Sequence, residues 1–265
     1  MKIGIIGLGV VGIAIKKGFE DLNHEIFVHD IKLNSKITDI LNTEIVFITV
    51  PTNSNENGSI DMSIVDQVIN DLEQIKYSGL ICLKSTSEPG STKRYIQKYS
   101  NLKICFVPEF LRERCAYEDF TKNHDLLLVG TNNKDFYNIV LNAHGKFPKE
   151  ISMCDPTEAE LVKYFSNAYN ATRVIFANYF YEISKKLNVN YENILDNYLK
   201  RTHNPGDYLG CNENLRGYGG VCLPKDTRAI NFFAKKLDID LKIMESIIED
   251  NSKIKTTVFK GMRLT

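Results

Sequence analysis

Over the first 150 residues, short apolar runs alternate with stretches whose apolar positions recur at helical spacing. Residues 2–6, 25–29 and 45–50 read as strands, the last rich in β-branched side chains. Residues 80–84, 103–107 and 126–129 are three more. Between them, residues 10–22, 61–75 and 91–99 carry the amphipathic helical pattern. Strands that alternate with helices predict a parallel sheet covered on both faces.

The pattern changes after residue 153. Residues 156–188 form one helical stretch without an internal Gly or Pro, with Pro156 suited to its first turn and Asp155 to its cap. Residues 191–200 predict another helix, and residues 203–220 a loop rich in Gly, Asn and Pro. Residues 224–236 and 241–260 predict two closing helices. The expected fold class is α/β, a Rossmann-type doubly wound sheet over residues 1–153 followed by a mostly helical domain over 154–265.

Composition narrows the function without naming it. The 265-residue chain has 33 basic and 33 acidic residues and a net charge of zero, so no cationic excess marks a nucleic acid or an anionic membrane as partner. No run is long enough to span a bilayer, and a cytoplasmic protein is expected. The six cysteines (82, 105, 115, 154, 211 and 222) are scattered without a CxxC pair, which suggests neither a disulfide framework nor a metal site.

Two segments carry chemistry. Gly7-Leu8-Gly9-Val10-Val11-Gly12 joins the first strand to the first helix, where glycines allow a tight turn and close approach of a pyrophosphate to a helix N-terminus. Asp30 ends the second strand, where a carboxylate can accept both ribose hydroxyls and repel a 2′-phosphate. NAD is the expected cofactor, although Lys32 close by weakens the preference over NADP. The second segment is Gly219-Gly220-Val221-Cys222-Leu223-Pro224-Lys225-Asp226. Its glycines are expected to leave the sulfur open to a substrate. With Pro224 at the first helical position, the helix dipole and Lys225 would both favour a thiolate at Cys222, with Asp226 one turn away.

Further candidates are weaker one by one. Lys163 and Asn167 are four apart on the long helix and share a face that could grip a substrate oxygen. Thr86 ends Lys84-Ser85-Thr86, and Glu109 and Glu113 lie in Pro108-Glu109-Phe110-Leu111-Arg112-Glu113. Both segments follow strands whose carboxyl ends would face a ligand crevice.

Taken together, the chain resembles the UDP-glucose/GDP-mannose dehydrogenase family. The similar segments are GLGVVG at 7–12, VPT at 50–52, KST at 84–86, PEFLRE at 108–113, EAELVKYFSNAYNATRVIFAN at 158–178 and GYGGVCLPKD at 217–226. The resemblance implies NAD-dependent oxidation of a sugar-nucleotide alcohol to the uronic acid, in two hydride transfers, through a Cys222 thiohemiacetal and thioester. It implies Lys163 and Asp226 as acid/base or water-positioning groups, Asn167 as oxyanion donor, and Glu109 in proton transfer and thioester hydrolysis. It implies NAD contacts by Gly7, Gly9, Val10, Val11, Gly12, Asp30, Lys32, Pro51, Thr52, Thr86, Glu113 and Lys225. Substrate contacts would come from Glu109, Phe110, Leu111, Lys163, Asn167, Tyr218 and Gly219. No metal is implied, and a homodimer through the helical domain is expected.

The sequence also departs from the family pattern. Such enzymes usually carry a third α/β domain, and Thr265 falls about where it would begin; a short form is therefore expected. The stretch from Asp30 to Thr43 lacks a helical insert. Pro205-Gly206-Asp207-Tyr208 stands where an arginine is expected, and Arg114 replaces a glycine. Two other readings use many of the same features: a β-hydroxyacid dehydrogenase, which makes one hydride transfer and needs no cysteine, and a non-catalytic nucleotide-binding module.

Overall fold

The computed structural model describes residues 1–201 and 208–257. The chain divides into two compact units: residues 1–53 with 60–163, and residues 54–59 with 164–265.

The first unit is built on strands β1 (Lys2–Ile6), β2 (Glu25–His29), β3 (Ile45–Ile48), β4 (Leu80–Leu83), β5 (Lys103–Phe106), β6 (Leu126–Gly130) and β7 (Glu150–Cys154). They form one sheet in the order β2-β1-β3-β4-β5-β6-β7. Strands β3 and β4 are buried at every position, as expected for parallel strands covered on both faces. On β1, Ile3 and Ile5 enter one core, and Ile6 enters the other. Helices α1 (Val10–Asp21), α4 (Ala116–Thr121) and α5 (Lys134–His144) supply the Ile3 side, with Ile15, Phe19, Phe120 and Val140. Helices α2 (Ser63–Gln74) and α3 (Ser91–Lys98) supply the other, with Val65, Ile69, Leu72 and Tyr95.

One pairing departs from the all-parallel expectation: β5 and β6 meet antiparallel through Phe106 and Gly130. Strand β7 and helices α4 and α5 have no counterpart in the sequence reading. Strand β7 is an edge strand whose first four residues are exposed, so it lacks the apolar signature of the buried strands.

Helix α6 (Pro156–Lys186) opens with Asp155 as cap, its carboxylate accepting from the Thr157 amide at 2.9 Å. The expected boundary at 153/154 sits before this helix, whereas the compact units divide within it, at 163/164. The first turns belong to the α/β unit because Glu160 and Lys163 are buried there, Glu160 accepting from the Gly90 and Thr92 amides at 2.5 and 2.8 Å.

The second unit contains the rest of α6, α7 (Tyr191–Leu199), α8 (Cys222–Lys236) and α9 (Lys242–Lys253). Its core gathers Ala171, Ile175, Tyr218, Met244 and Ile247. Helix α9 ends earlier than expected because the chain leaves it to pair with residue 217. The Gly217 amide donates to Lys255 at 3.0 Å, and the Thr257 amide donates back to Gly217 at 2.9 Å. The expected helical residues 258–260, and positions 205–207 of the divergent loop, lie outside the described residues. Phe165, Tyr169, Phe176, Phe180 and Ile183 are exposed and recur every three, four or seven residues along α6, so they form one apolar stripe. Among the described residues, no helix is long and apolar enough to cross a membrane.

Candidate functional site

In the α/β unit, the carboxyl ends of four adjacent strands carry the motifs. The chain leaves β1 for β2 on one side and returns to β3 on the other, so the ends of β1 and β3 flank a topological switch point. Gly7 has φ +93°, and a Cβ there would lie 3.0 Å from the Thr49 backbone. A Cβ on Gly12 would stand 2.0 Å from the Gly7 carbonyl oxygen, which makes glycine obligatory for this turn. Thr49, just after β3 and not among the expected site residues, clamps the turn by donating its hydroxyl to the Gly7 carbonyl at 2.6 Å.

Gly9 caps α1 but brings no side chain, the first turn holds no acid, and nothing lies within 4 Å of where its Cβ would be. A helix N-terminus left open in this way suits an anionic group. By contrast, the Asn133 and Asn190 side chains cap α5 and α7.

Asp30 accepts from the Leu8 amide at 2.6 Å through Oδ2 and from the Lys32 amide at 2.8 Å through Oδ1. These two bonds, to Leu8 first and Lys32 second, hold its pKa below the usual aspartate value. A carboxylate can accept about four hydrogen bonds, which leaves capacity for a diol. The turn, the open helix end and the pre-oriented carboxylate fit a dinucleotide. Val10 and Val11 are half-buried in the first turn of α1, Lys32 and Pro51 are exposed, and Thr52 is buried.

After β4, the Lys84 and Ser85 amides both donate to Ile48, and the Ser85 hydroxyl donates to Val50 at 2.6 Å. Thr86 is buried beside them. After β5, Glu109 is buried and bonded on both oxygens: Lys163 donates to Oε1 at 2.8 Å and the Leu111 amide to Oε2 at 2.8 Å. Lys163 also donates to the Glu109 carbonyl at 2.6 Å. Burial by itself would push the Glu109 carboxyl up. The Lys163 ammonium, these hydrogen bonds and Lys84 outweigh burial and hold it below the usual glutamate value. Phe110 and Leu111 are half-buried against the two sheet cores, and Glu113 begins a short 3₁₀ turn.

In the helical unit, Cys222 is the first residue of α8 and Val221 its cap, a side chain with no acceptor. The helix thus starts two residues before the expected first position, and Pro224 stands third. Proline is tolerated there because an amide in the first turn has no partner four residues back. Asp226, one turn on, is fully buried; Oδ2 accepts from Asn167 at 2.5 Å, and Oδ1 lies 3.5 Å from the Lys225 ammonium. Among the described residues, Oδ1 has no hydrogen-bond donor. Lys163 and Asn167 each meet a carboxylate, Glu109 and Asp226 respectively.

The residues before Cys222 are packed against the chain that follows α9. The space beside Gly219 is filled, since a Cβ there would lie 2.5 Å from Thr256 and 2.8 Å from the Thr257 carbonyl oxygen. Its glycine admits the returning chain. The Tyr218 ring is in the hydrophobic core, and its amide and carbonyl are both held by Asn251, at 2.9 and 3.0 Å. Gly220, with φ +74°, makes the turn into α8.

Comparison with known proteins follows the same division. Residues 32–147 match the NAD binding domain of the UDP-glucose/GDP-mannose dehydrogenase family, and residues 157–253 match its central domain. A UDP-glucose 6-dehydrogenase of Rickettsia bellii is 33% identical over 81% of this chain and 50% of its own length. One from Campylobacter jejuni is 31% identical over 95% of this chain and 72% of its own. The structure of a UDP-glucose dehydrogenase from Pyrobaculum islandicum superposes with a TM-score of 0.87 at 25% identity, over 95% of this chain and 68% of that one. The chain spans about half the length of the Rickettsia relative.

Proposed function

The chain belongs to the UDP-glucose/GDP-mannose dehydrogenase family, and on that premise we propose that it oxidises the C6 alcohol of a sugar nucleotide to the uronic acid, with Cys222 as nucleophile. The observation that carries this reading is Cys222 at the first position of α8, with the buried Asp226 one turn on and bonded to Asn167. A thiol at a helix N-terminus is biased toward the thiolate, which adds to an aldehyde and later leaves as a good leaving group.

Gly7, Gly9, Gly12 and Asp30 would hold NAD, with Val10, Val11, Lys32, Pro51, Thr52, Thr86, Glu113 and Lys225 as further contacts. NAD would supply the acceptor for both hydrides. The Cys222 sulfur forms a bond to the C6 aldehyde carbon, and the former carbonyl oxygen gains a proton, giving a thiohemiacetal. The second oxidation leaves a thioester, and water cleaves its C–S bond to release the acid and the thiol. Asn167 serves as donor to the oxyanion formed at each addition. Asp226 Oδ1 accepts from the attacking water, Lys163 exchanges the C6 oxygen's proton, and Glu109 assists proton removal during hydrolysis. Phe110 and Leu111 line the sugar.

The test is a panel of UDP-glucose, UDP-N-acetylhexosamines and GDP-mannose with NAD, read by NADH absorbance. Two NADH per substrate is the expected result, with UDP-glucose the first candidate. One NADH per substrate favours a β-hydroxyacid type of reaction. NAD binding without NADH on any member of the panel favours a non-catalytic module.

The apolar stripe on α6 supports a homodimer through the helical unit. Charging it with Phe176→Glu and Phe180→Glu together should turn a dimer into a monomer in sedimentation velocity, because two carboxylates cannot be buried unpaired in an apolar interface. A wild-type chain that sediments as a monomer at micromolar concentration sinks this assignment.

A further inference from the structure

Lys84 is the buried cation that the proposed chemistry leaves unused. It follows β4 in the interior of the α/β unit, with 4% of its surface exposed. Its ammonium donates to the Val107 carbonyl at 3.3 Å and to the Pro108 carbonyl at 3.4 Å. Lys163 takes the next carbonyl, that of Glu109, at 2.6 Å. Three consecutive carbonyls at the end of β5 thus point at two buried ammonium groups, and the one carboxylate among them is Glu109. Buried backbone oxygens turned to one side in this way need donors, and the two ammonium groups supply them.

We propose that Lys84 is a positioning residue for Glu109: its ammonium fixes the 107–109 turn and, together with Lys163, keeps Glu109 an aimed carboxylate. The inference rests on the reading of Glu109 as a base in the proposed oxidation. Lys84 also has an acid–base range of its own. Burial pulls its pKa down to about 8 against the opposing pull of Glu109. Cys82 and Cys105 also raise it, Lys163 lowers it, and Lys84 in turn depresses His124 and His144. Both histidines are held neutral, chiefly by burial, so the charges that matter at the turn are Lys84, Lys163 and Glu109. Above the Lys84 midpoint the charge is lost, the bonds to the two carbonyls weaken to those of a neutral amine, and Glu109 keeps one cation in place of two.

The test follows Glu109 directly. Its protonated form is read in the full-length chain by the infrared carbonyl band of a carboxylic acid, assigned by its loss in Glu109→Gln. In Lys84→Met, which keeps the length of the side chain, the Glu109 midpoint should rise by about one unit or more. Lys84→Gln, which keeps a donor without the charge, serves if the methionine variant does not fold, and should raise it likewise. A midpoint within about 0.3 units of wild type in a folded variant overturns the proposal. If neither variant folds, the wild-type chain decides: the Glu109 and Leu111 amide resonances should shift as pH passes about 8, and their constancy overturns the proposal. A moving midpoint in a chain that oxidises no sugar nucleotide removes the proposed function and leaves the positioning intact. An active enzyme with an unmoved midpoint does the reverse.

Discussion

Cys222→Ser is expected to lower uronate formation at least roughly 10³-fold, because serine is a far weaker nucleophile at neutral pH and its adduct a poorer leaving group. The substitution removes little bulk, and the half-buried position at the start of α8 tolerates a hydroxyl, so the fold should survive. The informative readout is stoichiometry. In the proposed mechanism the first hydride transfer needs no sulfur, so the variant should yield at most one NADH per substrate where two are expected of the wild type. Full turnover with two NADH in Cys222→Ser would rule out the covalent mechanism. A variant without NADH and without NAD binding would point instead to a damaged α8.

The second large effect is on stability and has a defined pH dependence. Lys163 and Glu109 are 4% and 9% exposed and lie 2.8 Å apart, so removing Lys163 takes from a buried carboxylate its directly bonded cation and leaves it the Lys84 charge alone nearby. Lys163→Met should cost about 3–5 kcal/mol at pH 7, by analogy with other buried pairs broken on one side. In the wild type the Glu109 pKa is depressed below 4.5, so its contribution is present above that value and lost as pH falls through the folded pKa. In Lys163→Met the carboxyl titrates higher, and the penalty applies only while it is ionised. The gap between variant and wild type should therefore narrow as pH falls from 7 toward 4, followed by urea midpoints. Adding Glu109→Gln to Lys163→Met should recover part of the loss at pH 7. A gap that is constant with pH would assign the cost to packing alone.

Much of the α/β unit was legible from periodicity, because a central parallel strand is buried on both faces and must be apolar throughout. Strands β3 and β4 are such runs, and the glycine turn after β1 carried its own stereochemical reason. Edge strand β7 was missed because exposed residues leave no such signature. The end of α9 was misplaced for a different reason. Residues 254–257 contain no Gly or Pro to stop a helix, and only the pairing with Gly217 ends it. That same pairing explains Gly219, whose sequence neighbours suggested an opening for a ligand but whose spatial neighbours are Thr256 and Thr257.

The candidate residues divide along the same line. Their identity came from the chain itself: a cysteine after two glycines, a lysine and an asparagine one helical turn apart, an aspartate closing β2. These are local features, and local geometry suffices to give them a chemical meaning. Their partners are set by contacts between segments distant in sequence. Lys163 meets Glu109 54 residues away, and Asn167 meets Asp226 across 59. Lys84 at the end of an apolar strand gave no sign that its ammonium would reach the carbonyls of the next strand. The sequence by itself thus determined the doubly wound class, the dinucleotide turn and the candidate nucleophile. Only the tertiary structure decided which buried charge faces which, because spacing along one chain does not encode the desolvated neighbours that set a carboxylate's pKa or pin a turn.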